Sequence, residues 1–230
     1  MTTSIVLPAK EPVEGRIKTR LARAIGELYS AKMAECFIRD ALDVVSELSI
    51  GLKGVAYQPE EARDYFRELV KPLLEFSTFP QRGGDPGERL MNILQHEFSA
   101  GATHVVIWET DTPTLPAEYL TLAFEELKKA DFVLGPTYDG GIYLIGASLP
   151  SATPFTAVPW ATPQVFKKMV HNISSAGLKL ALTPPWYDVD TEHGFEMLKT
   201  HLNALNYAGI KNLATHTAAL LATMENHPAR

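Results

Sequence analysis

Residues 103–116 read THVVIWETDTPTLP. Val105, Val106 and Ile107 make a short continuous apolar run, the pattern of a strand buried on both faces. Glu109 and Asp111 follow at once. Pro113 and Pro116 then punctuate a turn before an amphipathic segment that carries Tyr119, Leu120, Ala123 and Leu127. A buried strand that ends in two carboxylates and turns into a helix has the form of a strand's carboxyl end in an α/β sheet, where loops and helix N-termini converge and ligands bind. A carboxylate there can hold Mg2+ or Mn2+ together with substrate phosphates. Equally, Asp111 or Thr112 can cap the helix or close an Asx-turn.

The same alternation extends in both directions. Ile5-Val6-Leu7 reads as a strand, followed by a polar loop from Ala9 to about Gly15. Phe37, Ala41, Val44, Val45 and Leu48 recur at helical spacing between about Leu28 and Leu48, and a strand is expected over Lys53 to Tyr57. A Glu/Arg-rich helix begins after Pro59. The glycine-rich turn in GGDPGERLMNILQHEF leads into a helix with Leu90, Ile93, Leu94 and Phe98 on one face. The helix from Pro116 has Lys128 and Lys129 near its C-terminal end, as its dipole prefers, and Asp131 to Leu134 is the next strand. Gly140-Gly141 separates that strand from IYLIGA by too little chain for a crossover helix, so the latter is expected to run antiparallel. Segments 162–176 and 178–182 and two helical patterns from about Thr191 complete the chain. The pattern predicts a three-layer α/β/α sandwich with a mainly parallel mixed sheet, in one domain over 1–230.

The formal net charge of −6 provides no general attraction to nucleic acid or to an anionic membrane, so a polyanionic ligand must meet a local cationic patch. No run approaches the ~18 apolar residues of a membrane span, and the N-terminus lacks the form of a signal peptide. A soluble, cytoplasmic protein is expected, with its oligomeric state left open. The lone cysteine, Cys36, reads as a core thiol among Met33, Phe37 and Ile38, and the seven histidines form no close zinc-binding cluster. There is no G-x-S-x-G elbow.

Two further stretches bear on chemistry. In Asp188-Val189-Asp190 an extended backbone points both carboxylates one way and Val189 the other, although Asp190 could simply cap the helix that follows. Residues 10–23, KEPVEGRIKTRLAR, set Lys10, Arg16, Lys18, Arg20 and Arg23 against Glu11 and Glu14, just after the first strand. Gly15 permits close backbone approach and the basic side chains can hold phosphate oxygens; a solvated basic face is the plainer reading. The spacing is not that of a P-loop.

AKEPVEGRIKTRLA (9–22), GGDPGER (83–89), TDTPTL (110–115), VLGPTYDGGIYLIG (133–146), VPWATPQV (158–165) and YDVDT (187–191) together resemble the DUF2064 family. These are proteins of the glycosyltransferase-A-like, nucleotide-diphospho-sugar transferase fold, also called transferase 1 of the radical-SAM/selenodomain-associated group. The resemblance runs from about Ile5 to Leu198. It implies a Rossmann-like domain similar to molybdenum cofactor guanylyltransferase and 2-phospho-L-lactate guanylyltransferase. By position it makes Lys10, Gly15, Arg16, Lys18, Thr19 and Arg20 phosphate-loop residues, and sets Asp85, Gly87 and Arg89 near base and ribose. Asp111 becomes the main metal ligand, with Asp190 and Asp188 completing the site, and Asp139, Gly140, Gly141 and Trp160 line the acceptor side. The chain departs from the family at Glu109, where a small residue is usual, at Pro86, where leucine is usual, and at TEHGF after Asp190.

The implied activity is metal-dependent nucleotidyl transfer from a nucleoside triphosphate to a small phosphorylated or hydroxylated acceptor, with Lys18 and Asp111 catalytic. Glycosyl transfer from a nucleotide sugar would use the same site. A nucleotide-binding or regulatory protein without turnover is a third reading, kept open by Glu109 and Pro86.

Overall fold

The computed structural model describes residues 2–210 and 213–226, the side chains of 225 and 226 excepted. The strands are β1 (Thr3–Lys10), β2 (Leu52–Gln58), β3 (Phe76–Pro80), β4 (His104–Trp108), β5 (Phe132–Pro136), β6 (Ile142–Ala147) and β7 (Leu180–Leu182). The helices are α1 (Thr19–Ile25), α2 (Glu27–Glu47), α3 (Arg63–Val70), α4 (Pro86–Ser99), α5 (Ala117–Leu127), α6 (Val165–Ser175), α7 (Glu192–Tyr207) and α8 (Thr215–Asn226).

All seven strands join one sheet in the order β3-β2-β1-β4-β6-β5-β7. Every neighbouring pair is parallel except β6 with β4 and with β5. The expected antiparallel hairpin is therefore present, and so is the mainly parallel mixed sheet. Two elements escaped the periodicity. β3, FSTFP, is a short edge strand with little apolar alternation, and α1 lies within the segment read only as basic.

Strand alternation divides the core into layers. Val106 and Trp108 of β4 belong to the layer shared with α2, α3 and α5, which contribute Ala41, Val45, Phe66, Leu120 and Leu127. Val105 and Ile107 face α4 and α6, against Leu90, Ile93, Met169 and Ile173. Helices on both faces oblige the central strands to be apolar throughout, which is why they read as continuous runs.

A third, smaller cluster lies beyond the sheet. Leu21 of α1, Met33 and Phe37 of α2, Val189, Phe195 and Leu198 of α7, and Leu221 of α8 bury one another. Asp40 of α2 ties α8 to this group, accepting from the His216 and Thr217 amides and from the Thr217 hydroxyl. These are first-turn N–H groups of α8, which have no partner within the helix itself.

Because β1 pairs with β2 on one side and β4 on the other, the loops after β1 and β4 leave the sheet in diverging directions. The crevice between them is the topological switch point where open α/β sheets bind ligands. Leu21 and Val189 each lie one to three residues from a charged group that faces this crevice, so the third cluster sets the crevice's shape. Leu21→Ala is expected to cost about 2–5 kcal/mol, the range for a fully buried leucine. Urea unfolding measures it, and loss of stability with a cooperative transition retained is the predicted result.

Candidate functional site

A cavity of about 880 Å3 opens at the switch point. From the sequence-derived set, Lys10, Lys18, Thr19, Arg20, Arg89, Asp111, Asp139, Gly141, Trp160, Asp188 and Asp190 all line it. Gly15, Arg16, Asp85, Gly87 and Gly140 do not belong to the lining. Arg16 and Gly15 are exposed on the outer side of the loop. Asp85 caps α4, its Oδ1 accepting from the Glu88 amide at 3.0 Å. Gly87 packs under Phe155 and Trp160, and Gly140 has φ +91° with its α-carbon against the Pro163 carbonyl, where no side chain fits. Pro86 occupies the first turn of α4, a position that suits its fixed φ and missing N–H, so this departure from the family is structurally compatible.

Lys18 sits at the centre. It adopts a left-handed backbone, φ 47° and ψ 43°, at the start of α1. That conformation costs a non-glycine residue on the order of 1–2 kcal/mol. The buried Ser30 hydroxyl of α2 donates to the Ile17 carbonyl at 3.0 Å and lies 3.3 Å from that of Lys18, bracing the turn. The Lys18 ammonium donates to Asp111 Oδ2 at 3.1 Å and to Asp190 Oδ1. Only 11% of its side chain is exposed, and its charged end lies 5.6 Å from the Phe37 ring.

The two acidic segments are held as one unit. The Val189 amide donates to the Asp111 carbonyl at 2.9 Å, and Val189 itself is fully buried. Asp188 and Asp190 thus face the cavity while Val189 points into the third cluster, as the extended backbone requires. Capping does not consume these carboxylates. Thr191 caps α7 by accepting from the Gly194 amide, α5 begins after Pro116 with no side-chain cap, and the Thr112 hydroxyl accepts from the Trp108 indole at 2.8 Å. Asp111, Asp188 and Asp190 each place a carboxylate oxygen within 4.8 Å of the others.

The electrostatics follow from crowding. Burial works to lower the Lys18 pKa, but Asp111 and Asp190 more than offset it and the ammonium is held charged. Lys18 holds Asp190 below the usual carboxylate range, whereas burial outweighs the same attraction at Asp111 and raises it. Burial, with Asp111, Asp139 and Asp190 nearby, pushes Asp188 up to about 7. Burial and Asp111 push Glu109 up to about 8. Glu109 follows Ile107 by two residues on β4's exit; its amide donates to the Tyr143 carbonyl at 2.9 Å and its carbonyl accepts from the Thr112 hydroxyl at 3.3 Å, while its carboxylate has no hydrogen-bond or ion-pair partner among the described residues. The crowding that pushes protons onto Glu109 and Asp188 is what a cation would relieve, and the oxygen donors of Asp111, Asp188 and Asp190 fit a hard divalent cation such as Mg2+ or Mn2+.

The lining is also divided along the sheet. All five of its acids, Glu109, Asp111, Asp139, Asp188 and Asp190, follow β4 or a later strand. The part built by β1, β2, β3 and the start of α4 contributes Lys10, Gln58, Gln81 and Arg89 and no acid. Gln81 Nε2 donates to the Ala56 carbonyl at 2.8 Å and the Ala9 carbonyl at 3.4 Å, which fixes the carboxamide across two strand ends. Sequence reading missed Gln58, Gln81 and Ser30. A glutamine at the end of each of two neighbouring strands was the available signal for the first two, and a serine on the apolar face of α2 for the third.

Raised carboxyl groups set a direction for pH. Glu109 and Asp188 bind protons more tightly in the folded than in the unfolded chain, so their contribution to stability is full below their ordinary pKa values and is lost as pH rises through about 7 to 8. Without divalent cation, the melting temperature should therefore fall between about pH 5 and about pH 9, and Glu109→Gln should flatten that fall. Thermal melts of the two proteins across this range, in the presence of a chelator, give the comparison; parallel curves would contradict it.

No curated protein matches the chain in sequence. Among solved structures, a protein from Desulfovibrio desulfuricans G20, provisionally described as a nucleotide-diphospho-sugar transferase, is similar with a TM-score of 0.87 and 27% identity, over 98% of this chain and 96% of that one. A 4-diphosphocytidyl-2C-methyl-D-erythritol synthase from Anaerococcus prevotii DSM 20548 is similar with a TM-score of 0.60 and 11% identity, over 88% and 96% of the two chains. CMP:2-keto-3-deoxy-manno-octonic acid synthetase, in complex with CTP, gives 0.57 and 11%, over 89% and 99%. At 11% identity the likeness is one of fold, and the fold is that of the nucleotide-diphospho-sugar transferases. The family described as "uncharacterized protein conserved in bacteria (DUF2064)" matches residues 41–162, just over half of the sequence. With the sheet order and the cleft in agreement, the chain belongs to the DUF2064 family.

Proposed function

We propose that the protein is a metal-dependent nucleotidyltransferase that joins a nucleoside monophosphate unit from a nucleoside triphosphate to a small phosphorylated or hydroxylated acceptor. The observation that carries this reading is the convergence of Asp111, Asp188, Asp190 and Lys18 in one cleft at the switch point. Asp111, Asp188 and Asp190 would hold Mg2+ or Mn2+, which when bound supplies neutralising charge to phosphate oxygens.

The division of the lining orients the nucleotide. Its base and ribose belong over β1, β2 and β3, where Gln58 and Gln81 offer hydrogen bonds without negative charge. The triphosphate then crosses Lys10, Lys18 and Arg20, and the acceptor approaches from the side of Asp139, Gly141 and Trp160. An acceptor oxygen attacks the α-phosphorus in line, the bond to the bridging oxygen breaks, pyrophosphate departs, and the acceptor's proton passes to solvent. Catalysis of this kind rests on positioning and on charge placed before the reaction, with no protein nucleophile. The Ser30 hydroxyl braces the Ile17–Lys18 turn, and the Lys18 ammonium, between Asp111 and Asp190, would meet a phosphate oxygen beside a cation held by those carboxylates.

Glycosyl transfer from a nucleotide sugar is the second reading, favoured by the description of the Desulfovibrio desulfuricans protein. The two reactions break different bonds. Pyrophosphate from a triphosphate identifies the first, and free nucleoside diphosphate from a sugar nucleotide the second.

The test is a thermal-shift panel of the four nucleoside triphosphates and common sugar nucleotides, each with and without Mg2+ or Mn2+. A ligand that binds the native state alone raises its apparent stability. At least one nucleotide should stabilise the protein in a metal-dependent way. Asp111→Asn should abolish the shift, and Lys18→Ala should weaken binding by roughly tenfold, the loss of one charge-assisted contact. Unchanged responses in both variants would remove the site.

A further inference from the structure

One wall of the cleft differs from the rest. Among its lining residues, Leu90, Ile142, Trp160 and Val165 belong to one apolar cluster, with Pro86 of the same helix as Leu90 also in the lining. Trp160 lies against the first turn of α4 so closely that a β-carbon on Gly87 would stand 3.1 Å from its Cζ2 and 3.1 Å from the Phe155 side chain. Gly87 therefore serves the placement of the indole. The backbone around it is strained for the same end: Ala157 and Ala161, on either side, both hold positive φ, 49° and 60°, where a side chain is disfavoured. Hydrogen bonds within the loop keep it so, from Trp160 N to the Val158 carbonyl at 3.0 Å and from the Thr162 hydroxyl to the Pro159 carbonyl at 2.7 Å. The indole is half-buried and its N–H donates to no protein acceptor among the described residues.

A half-buried, rigid, amphipathic ring held by a strained loop in the lining of the cavity has the form of a stacking platform. Its loop also meets the β5–β6 hairpin: Gly140 has no room for a side chain beside the Pro163 carbonyl, the Phe166 amide donates to the Gly140 carbonyl at 3.0 Å, and Asp139 and Gly141 of that hairpin line the cavity. We propose that Trp160 is the platform on which the acceptor lies, so that the acceptor carries a ring with an exposed flat face, either a sugar or a heteroaromatic. This inference rests on the transferase reading above and specifies its acceptor.

The chain's three tryptophans make the experiment direct. In 15N-labelled protein the indole N–H signal lost in Trp160→Phe belongs to Trp160, while those of Trp108, bonded to Thr112, and Trp186, whose Nε1 is buried, serve as internal references. Methyl β-glucoside and nicotinamide are titrated as ring-bearing probes, glycerol and inorganic phosphate as ringless ones, and CTP and GTP with Mg2+ separately. The expected result is movement of the Trp160 signal with a ring-bearing probe and not with the ringless ones. The glucoside alone would name a sugar acceptor, and nicotinamide alone a heteroaromatic one. Trp160→Ala should weaken the active probe about tenfold while Trp160→Phe retains most of its affinity, as a stacking contact requires. No movement with either ring-bearing probe, equal movement with glycerol, or movement caused by nucleotide with which the ring-bearing probes compete would overturn the proposal. Failure of the transferase reading shows independently, as the absence of nucleotide-dependent changes at the Lys18 and Asp111 amides.

Discussion

The cleft depends on the small apolar cluster outside the sheet. Leu21 and Phe37 come from one part of the chain and Val189 and Phe195 from another, about 150 residues on, and by burying one another they bring the loop after β1 and the second acidic segment to the same place. Each such side chain contributes roughly 1.5–3 kcal/mol on burial, enough to hold charged neighbours that would otherwise repel. The Val189 amide, bonded to the Asp111 carbonyl, then fixes the two acidic loops to each other. Lys18 between Asp111 and Asp190 is a consequence of that scaffold. Its ammonium offsets part of a charge density that the apolar cluster assembled.

Strain and electrostatic frustration coincide with the cleft. Of the four non-glycine residues with positive φ among the described residues, Lys18 and Ala161 line it, Ala157 stands in the loop that carries Trp160, and Ala214 lies apart from it. Glu109 and Asp188 are carboxyl groups held in surroundings that favour their neutral forms. Elsewhere several charged groups are paired or cap helices. Lys53 meets Glu75, Arg39 meets Glu35, and Asp40 caps α8. Costs of this sort persist where the surrounding structure overrides local preference.

Cys36 shows the opposite case. Burial raises its thiol to about 11, with Asp40 and Glu35 adding to the effect, which keeps it unreactive at neutral pH and in keeping with a residue chosen for packing.

The sequence by itself determined the local elements and the candidate chemistry. Apolar runs at 5–7, 105–107 and 132–134 and helical spacing at 37–48 and 90–98 identify strands and helices because side-chain periodicity is a property of the chain within a few residues. The Gly140-Gly141 hairpin was legible for the same reason, whereas β3 was not, since a five-residue edge strand exposed to solvent carries little apolar signal. Alternation of Asp188, Val189 and Asp190 told which way two carboxylates would point, but not what they would meet. Only the tertiary structure decided that Asp190 reaches Lys18 rather than capping α7, that Asp85 caps α4 while Gln58 and Gln81 enter the cleft, and that Gly87 and Trp160 share one wall. Those pairings depend on strand order and on which helices cover which face, and such long-range contacts leave no periodic trace in the residues that make them.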